Sequence, residues 1–107
     1  MSKIFRNPIA EELGYEEKTT FWDDFSIADR FGISAVKDTY NRAFTSWKNN
    51  PVYLTELVLV LNWKIWQYYK KRPELAETYN SLWKKTDNYA CEHLTGDDLQ
   101  YYFNTTD

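Results

Sequence analysis

One stretch of the sequence, residues 51–71 (PVYLTELVLVLNWKIWQYYKK), limits most strongly what the chain can fold into, because it holds the longest apolar run. Apolar side chains recur in it at spacings of three and four residues, as on one face of an α-helix: Leu54, Leu57, Val58, Leu61, Ile65 and Tyr68. A strand over residues 57–61 is the alternative, but the pattern continues to Tyr69, beyond the length of an ordinary strand. Asn50 and Pro51 supply a capping side chain and a first-turn proline. We therefore predict a central buried helix over residues 51–71.

The same stretch does not predict a membrane span. Glu56, Asn62 and Lys64 interrupt its apolar run well short of the ~20 residues that a bilayer requires. The N-terminal sequence MSKIFRNPIAEELGY lacks the apolar core of a signal peptide. Cys91 is the single cysteine, so no internal disulfide is expected. We expect a cytoplasmic protein with no membrane partner.

Composition predicts the fold class. The chain has 107 residues, of which 43% are hydrophobic and 19% aromatic, enough for one core. Three glycines and three prolines leave few tight turns, which argues against a β-sandwich or barrel. We predict a single all-α domain over residues 1–107, a compact helical bundle of about four main helices with short terminal helices.

Prolines, glycines and capping residues predict where the other helices begin and end. Thr20 and Ser34 are the expected N-caps of the two helices before the central one. The predicted helices besides the central one cover residues 8–14, 20–32, 34–48, 73–94 and 97–104. The strongest core predictions are Leu57, Leu61 and Ile65, faced by Val36, Tyr40 and Phe44.

Side chains with metal or catalytic chemistry are few. Cys91 and His93 are two residues apart and point to different faces of a helix, unlike the ligand spacing of zinc sites. Three isolated glycines cannot form a phosphate-binding loop. Cys91 is interpreted as a small buried thiol. We therefore predict no catalytic residue, no metal site and no cofactor, and expect that the chain is not an enzyme.

Charge is distributed unevenly along the chain, whose net charge is −3. Residues 11–36 hold seven acids and two bases, residues 37–72 hold seven bases and two acids, and residues 86–107 hold five acids and no base. These segments either neutralise one another within the fold or are solvated. The alternative is an acidic face that meets a basic partner.

Residues 26–44 resemble a helix-turn-helix motif. Ala28 and Gly32 match the small residue and the turn glycine of that motif. Asp38 departs from it, because a buried aliphatic side chain is usual there. As a DNA-binding alternative, the second helix would contact DNA through Ser34, Lys37, Asn41 and Arg42. The other interpretation is an ordinary helix–glycine–helix corner.

Aromatic residues near the end of the central helix suggest two further functions, stacking on nucleic-acid bases and binding of a protein. Trp63, Trp66, Tyr68 and Tyr69, with the nearby lysines, could stack on bases, although aromatic residues at helical spacing more often belong to a core. Aromatic and arginine side chains are also enriched at protein interfaces. The predicted partner-binding residues are Trp63, Trp66, Tyr69, Lys70, Lys71 and Arg72. The partner would be an unidentified protein or a second copy of the chain in a homodimer, with nucleic acid the less favoured partner.

Three segments carry a resemblance to known proteins: TTFWDDFSIADRFGISAVKDTYNRAF, YLTELVLVLNWKIWQYY and LTGDDLQYYFNTTD. In their amino-acid sequence these segments resemble small uncharacterised all-helical proteins carried by bacterial mobile genetic elements and phages. The resemblance implies an accessory cytosolic protein and carries over no catalytic residue. Some small mobile-element proteins are acidic inhibitors of host defence proteins, which gives a further alternative. The first prediction is a non-enzymatic helical protein-interaction module, and helix-turn-helix DNA binding is the runner-up.

Overall fold

The structure, a computed structural model, describes residues 21–106, which form α-helices joined by short connections. The helices are α1 (Phe21–Phe31), α2 (Ile33–Trp47), α3 (Pro51–Tyr68), α4 (Pro73–His93) and α5 (Gly96–Thr106). Among these described helices, none has the length and apolarity of a membrane span. The predicted all-α fold is confirmed. The predicted helix over residues 8–14 and the Thr20 cap lie outside the described residues.

The start of α3 follows the local sequence. The Asn50 side chain accepts hydrogen bonds from the backbone amides of Val52 at 3.1 Å and Tyr53 at 3.2 Å. Pro51 occupies the first turn, where its missing N–H costs nothing. The predicted cap and first turn of the central helix are confirmed.

The end of α3 differs from the prediction. The helix ends at Tyr68, so Lys70 and Lys71 lie in a turn instead of the last helical turn. Pro73 disfavours helical backbone at the residue before it, Arg72. The Arg72 backbone amide donates to the Tyr68 carbonyl at 2.9 Å and closes the turn. The steric effect of one proline therefore shortens the helix and places two lysines at a corner of the bundle.

Helices α3 and α4 run antiparallel, as their short connection predicts. Near the connection, the rings of Tyr68 and Tyr79 are stacked with centroids 6.3 Å apart. Towards the other end, Ala90 of α4 is buried with Leu54 and Val58 of α3. The two helices therefore contact each other along most of their length.

The core of the bundle contains the predicted side chains. Four of the six are fully buried: Leu57, Leu61, Val36 and Tyr40. Ile65 and Phe44 pack against this core from partly exposed positions. The buried hydroxyls of Tyr40 and Thr86 lie 2.8 Å apart, so a hydrogen bond joins α2 to α4 inside the core. That bond satisfies two polar groups that would otherwise be costly to bury.

The corner between α1 and α2 consists of one residue, Gly32. Its φ of +108° lies in a region that favours glycine, and its amide donates to the Ala28 carbonyl at 3.1 Å. The predicted Ser34 cap is wrong, because α2 begins at Ile33 and Gly32 occupies the N-cap position. The positive φ reverses the chain within a single residue, so Ser34 already lies in the first turn of α2.

Helix α5 begins one residue earlier than predicted, at Gly96, and packs against α3 and α4. Tyr102 is its buried residue, and the Tyr102 hydroxyl donates to a carboxylate oxygen of Asp87 on α4. Phe103, on the same helix, is exposed. One buried tyrosine therefore attaches the terminal helix to the bundle.

Candidate functional site

Helix α1 lies along the C-terminal half of α3. The rings of Trp22 and Trp63 meet edge to face with centroids 6.4 Å apart. Further along both helices, the Tyr68 hydroxyl donates to Asp29 Oδ2 at 2.7 Å. Because later residues of α1 meet later residues of α3, the two helices run in the same direction.

A buried ion pair joins these two helices. Lys64 is 0% exposed and Asp29 is 4% exposed, and Lys64 Nζ lies 2.8 Å from Asp29 Oδ2. The same ammonium donates to Ser26 Oγ at 3.0 Å and lies 4.5 Å from the centroid of a Trp22 ring. The hydrogen bonds and the cation–π contact compensate for the loss of water around the charge.

Asp29 also contacts three further groups. Its carboxylate accepts the Tyr68 hydroxyl at 2.7 Å and, through its other oxygen, the Tyr79 hydroxyl. Its backbone carbonyl accepts a hydrogen bond from Arg72 Nη1 at 3.1 Å. We name Asp29, Lys64, Tyr68, Tyr79 and Arg72 the Asp29 cluster. It connects the end of α1 to α3, to α4 and to the turn between them.

The Asp29 cluster was not predicted from the sequence, although the sequence holds a signal for it. Lys64 follows Leu57 and Leu61 by seven and three residues, so it lies on the apolar face of α3. Asp29 follows Phe25 by four residues on the apolar face of α1. Opposite charges on two faces that are both expected to be buried indicate an internal pair. Lys64, one of the lysines near the aromatic residues of the base-stacking alternative, is buried and cannot contact bases.

We expect the Asp29 cluster to make stability depend on pH in the alkaline range. Burial, and then the hydrogen bond to Asp29 and the negative charge of Asp29, raise the pKa of Tyr68 from 10.0 to about 12, while Arg72 opposes the shift. The same causes raise the pKa of Tyr79. Because the folded pKa of Tyr68 exceeds the unfolded value, its contribution to stability is fully present below pH 10 and is lost as pH rises towards about 12.

Urea titrations across this pH interval measure the effect. The unmodified chain should lose unfolding free energy more steeply than the Tyr68→Phe variant, which lacks the titrating hydroxyl. Equal slopes for the two proteins would contradict the assignment of this pH dependence to Tyr68.

Three large aromatic side chains lie exposed at the end of α3, two on its outer side and one at its C-cap. Trp63, Trp66 and Tyr69 are 50%, 63% and 49% exposed. The preference for a core role is wrong for all three. The Asp29 cluster and the core occupy the opposite side of this half of α3, which leaves its outer side at the surface. We name Trp63, Trp66, Tyr69, Lys70 and Lys71 the aromatic–lysine face.

Contacts within the aromatic–lysine face hold its rings next to one another. The rings of Trp66 and Tyr69 meet edge to face, with centroids 5.5 Å apart and an interplanar angle of 79°. Lys70 Nζ lies 5.4 Å from the centroid of the Tyr69 ring, within the range of a cation–π contact. Lys71 is exposed beside it. The structure therefore places the rings of Trp66 and Tyr69 and the ammonium of Lys70 in contact with one another at the surface.

Arg72, the sixth predicted partner-binding residue, is placed differently. It is partly buried, and its guanidinium contacts the Asp29 carbonyl and, at 3.4 Å, a carboxylate oxygen of Glu74. Tyr68 and Lys64 of the base-stacking alternative are likewise turned towards Asp29. Lys64 therefore lies beneath the aromatic–lysine face, whereas Tyr68 is partly exposed and the Arg72 side chain is 42% exposed at the edge of the face.

The residues of the DNA-binding alternative are exposed on α2: Ser34, Lys37, Asn41 and Arg42. The first three share one face by their spacing of three and four residues. Arg42 borders an open groove of about 520 Å³ between α1 and α2, where Asp24 and Asp38 add negative charge. The single-residue connection at Gly32 is shorter than the three- to four-residue turn of a helix-turn-helix.

Cys91 is exposed, so the prediction of a buried thiol is wrong. It borders a groove of about 320 Å³ between α3, α4 and α5. Partial burial and the negative charges of Asp87 and Glu92 raise the pKa of the Cys91 thiol. His93 Nδ1 lies 3.0 Å from the Tyr89 carbonyl oxygen, and its ring stacks on Tyr89. Within residues 21–106, no group of three or more His, Cys, Asp or Glu side chains could hold a metal ion.

Comparison of the chain with protein families, with curated proteins and with solved structures finds no match. The resemblance to mobile-element proteins therefore stays a prediction, and so does the expectation that the chain is not an enzyme. Function is inferred below from the geometry of the described residues.

Proposed function

We propose that this chain is a non-enzymatic helical module that binds another protein through the aromatic–lysine face. The observation that supports the proposal most strongly is the exposure of Trp63, Trp66 and Tyr69 close together in sequence at the end of α3. Tryptophan and tyrosine are the residue types that most often dominate the energy of protein interfaces. Exposed rings grouped in this way offer a partner apolar surface that water solvates poorly.

The buried hydrogen bonds beneath the aromatic–lysine face favour binding of a partner. Lys64 follows Trp63 in the chain and is fixed by Asp29, and Tyr68 precedes Tyr69 and is fixed by the same carboxylate. The backbone that carries the rings is therefore held by buried hydrogen bonds. A surface that is already ordered loses less conformational entropy on binding than a mobile loop does.

Two parts of the proposal, the location of the protein and its biological role, come from the sequence. A cytoplasmic location and an accessory role in a mobile element are proposed from the resemblance described above. The partner that binds the aromatic–lysine face is a separate protein or a second copy of the chain. Inhibition of a host defence protein through an acidic surface is less well supported, because the face described here is aromatic and basic.

Affinity capture with a matched pair of variants tests the proposal. Trp66→Ala/Tyr69→Ala removes the centre of the face, whereas Ile27→Ala/Phe31→Ala removes two similarly exposed apolar side chains from α1. Extract of the organism that carries the gene is passed over each immobilised protein, and bound proteins are quantified by mass spectrometry. Loss of an interface hot spot costs about 2 kcal/mol or more. We therefore expect partners retained by the unmodified chain and the α1 variant to be lost from the α3 variant.

Melting temperature and oligomeric state complete the test. The α3 variant should melt within a few degrees of the unmodified chain, because its truncated side chains are largely exposed. If sedimentation shows a dimer that the α3 variant abolishes, the occupant is a second copy. An unchanged set of captured proteins and an unchanged oligomeric state would overturn the proposal. A large fall in melting temperature would also overturn it, because the rings would then belong to the core.

A further inference from the structure

We infer that the partner segment received by the aromatic–lysine face is an acidic peptide. Its apolar side chains would cover Trp63 and Trp66, and its carboxylates would lie against Lys70 and Lys71. This inference rests on the proposed function and adds the chemistry of the partner. It follows from the charges that surround the face.

Positive charge is concentrated at the end of the face, although the whole chain has a net charge of −3. Lys70 and Lys71 are exposed, and among the described residues neither forms an ion pair. Arg30 is exposed at the end of α1 and follows Asp29, which contacts Tyr68 beside this turn. Lys70 and Lys71 therefore lie together in the turn after α3, and Arg30 adds a positive charge in the last turn of α1.

The acid nearest to this corner in the sequence does not neutralise the lysines. Glu74 follows the turn, and its carboxylate lies 3.4 Å from Arg72 Nε. Arg72 in turn contacts the Asp29 carbonyl. The internal polar groups of the corner are thus paired with one another, and Lys70 and Lys71 are left to face solvent. Carboxylates of a partner would complement them.

Helix-dipole effects explain part of this arrangement but not all of it. Cations are stabilising near helix C-termini, which accounts for Arg30 in the last turn of α1 and for the lysines after α3. The helix dipole does not explain why the rings of Trp63, Trp66 and Tyr69 are exposed. Lys70 lies in the turn after α3, where its ammonium contacts the ring of Tyr69 and that ring in turn meets Trp66, so the charge continues from the rings. A single segment of about two helical turns, roughly 10 Å long, can contact the rings and the charge together.

Selection from a displayed library of random peptides, about 14 residues long so as to exceed that length, tests the inference. The library is selected on the unmodified chain after depletion on Trp66→Ala/Tyr69→Ala. Enriched peptides should carry more Asp and Glu, and more large apolar residues, than the starting library. An enriched peptide is then labelled and titrated by fluorescence anisotropy.

Charge-reversal variants locate the contribution of the lysines. Lys70→Glu/Lys71→Glu should weaken binding of the enriched peptide about tenfold or more at low salt, and this difference should shrink at high salt. Lys37→Glu/Lys84→Glu changes the net charge equally, at exposed sites on α2 and α4, and should bind as the unmodified chain does. Single-stranded and duplex oligonucleotides are titrated in parallel.

Several outcomes would overturn the inference. They are enrichment of neutral or basic peptides, no enrichment, equal effects of the two charge reversals, or binding of the oligonucleotides alone. The proposed function fails separately. If capture from extract is lost with Trp66→Ala/Tyr69→Ala but persists with Lys70→Glu/Lys71→Glu, the protein-binding role stands and the acidic partner does not. If neither variant changes capture, both are wrong.

Discussion

Asp29→Ala is expected to lower the free energy of unfolding by about 3–5 kcal/mol, because it leaves a buried ammonium without its carboxylate. Lys64 is fully buried, and Asp29 is its partner at 2.8 Å. The hydroxyls of Tyr68 and Tyr79 lose their acceptor in the same substitution. One alanine substitution therefore removes three polar contacts that join α1 to α3 and α4, those with Lys64, Tyr68 and Tyr79.

Denaturant titration of three variants measures this effect. Asp38→Ala is the matched control, because that aspartate is exposed, and it should change stability by no more than about 0.5 kcal/mol. Lys64→Met keeps the aliphatic part of the side chain and leaves Asp29 with two tyrosine donors. It should therefore destabilise less than Asp29→Ala does. If Asp29→Ala remains as stable as Asp38→Ala, the ion pair does not hold the bundle together.

Leu61→Ala is expected to cost about 2–5 kcal/mol of stability, because it opens a cavity at the centre of the core. Leu61 is fully buried on α3, on the side that faces the rest of the core. The neighbouring rings and leucines are fixed by their own contacts and can collapse only partly into the space. The cost therefore exceeds the transfer free energy of the deleted methyl groups.

Leu59→Ala is the matched control for this second prediction. Leu59 is on the same helix but is partly exposed beside the groove between α3, α4 and α5. Thermal and urea unfolding should show a loss for Leu61→Ala at least twice that for Leu59→Ala. Similar losses for the two variants would mean that α3 is covered equally on both sides and that the core is wrongly placed.

Helix boundaries were predicted well where a residue acts on its own backbone. The Asn50 side chain caps α3 through hydrogen bonds only two and three residues away. Pro73 begins α4, and Gly32 ends α1 with a positive φ. The exception is Ser34, for which the cap was assigned two residues too late. The sequence showed a capping side chain at Ser34, but it did not show how sharply the chain would turn at Gly32.

The candidate site was predicted in part. Trp66 and Tyr69 were named as partner-binding residues, but their helical spacing is equally typical of a core, and only the packing of α3 placed them at the surface. Arg72 was assigned to the same surface, and the sequence did not show that it also contacts Asp29, which lies 43 residues earlier in the chain. A contact between residues so far apart in the chain leaves no local sequence pattern from which it could be predicted.

The sequence alone determined the helical character of the chain, the bounds set by Asn50, Pro73 and Gly32, and which side of α3 is most apolar. Each of these depends on interactions within one or two helical turns. Only the tertiary structure decided that Lys64 is buried with Asp29 and that Trp66 is exposed. Burial of a side chain depends on which helix lies over it. That helix is chosen by the packing of the whole bundle and not by the residues next to the side chain in sequence.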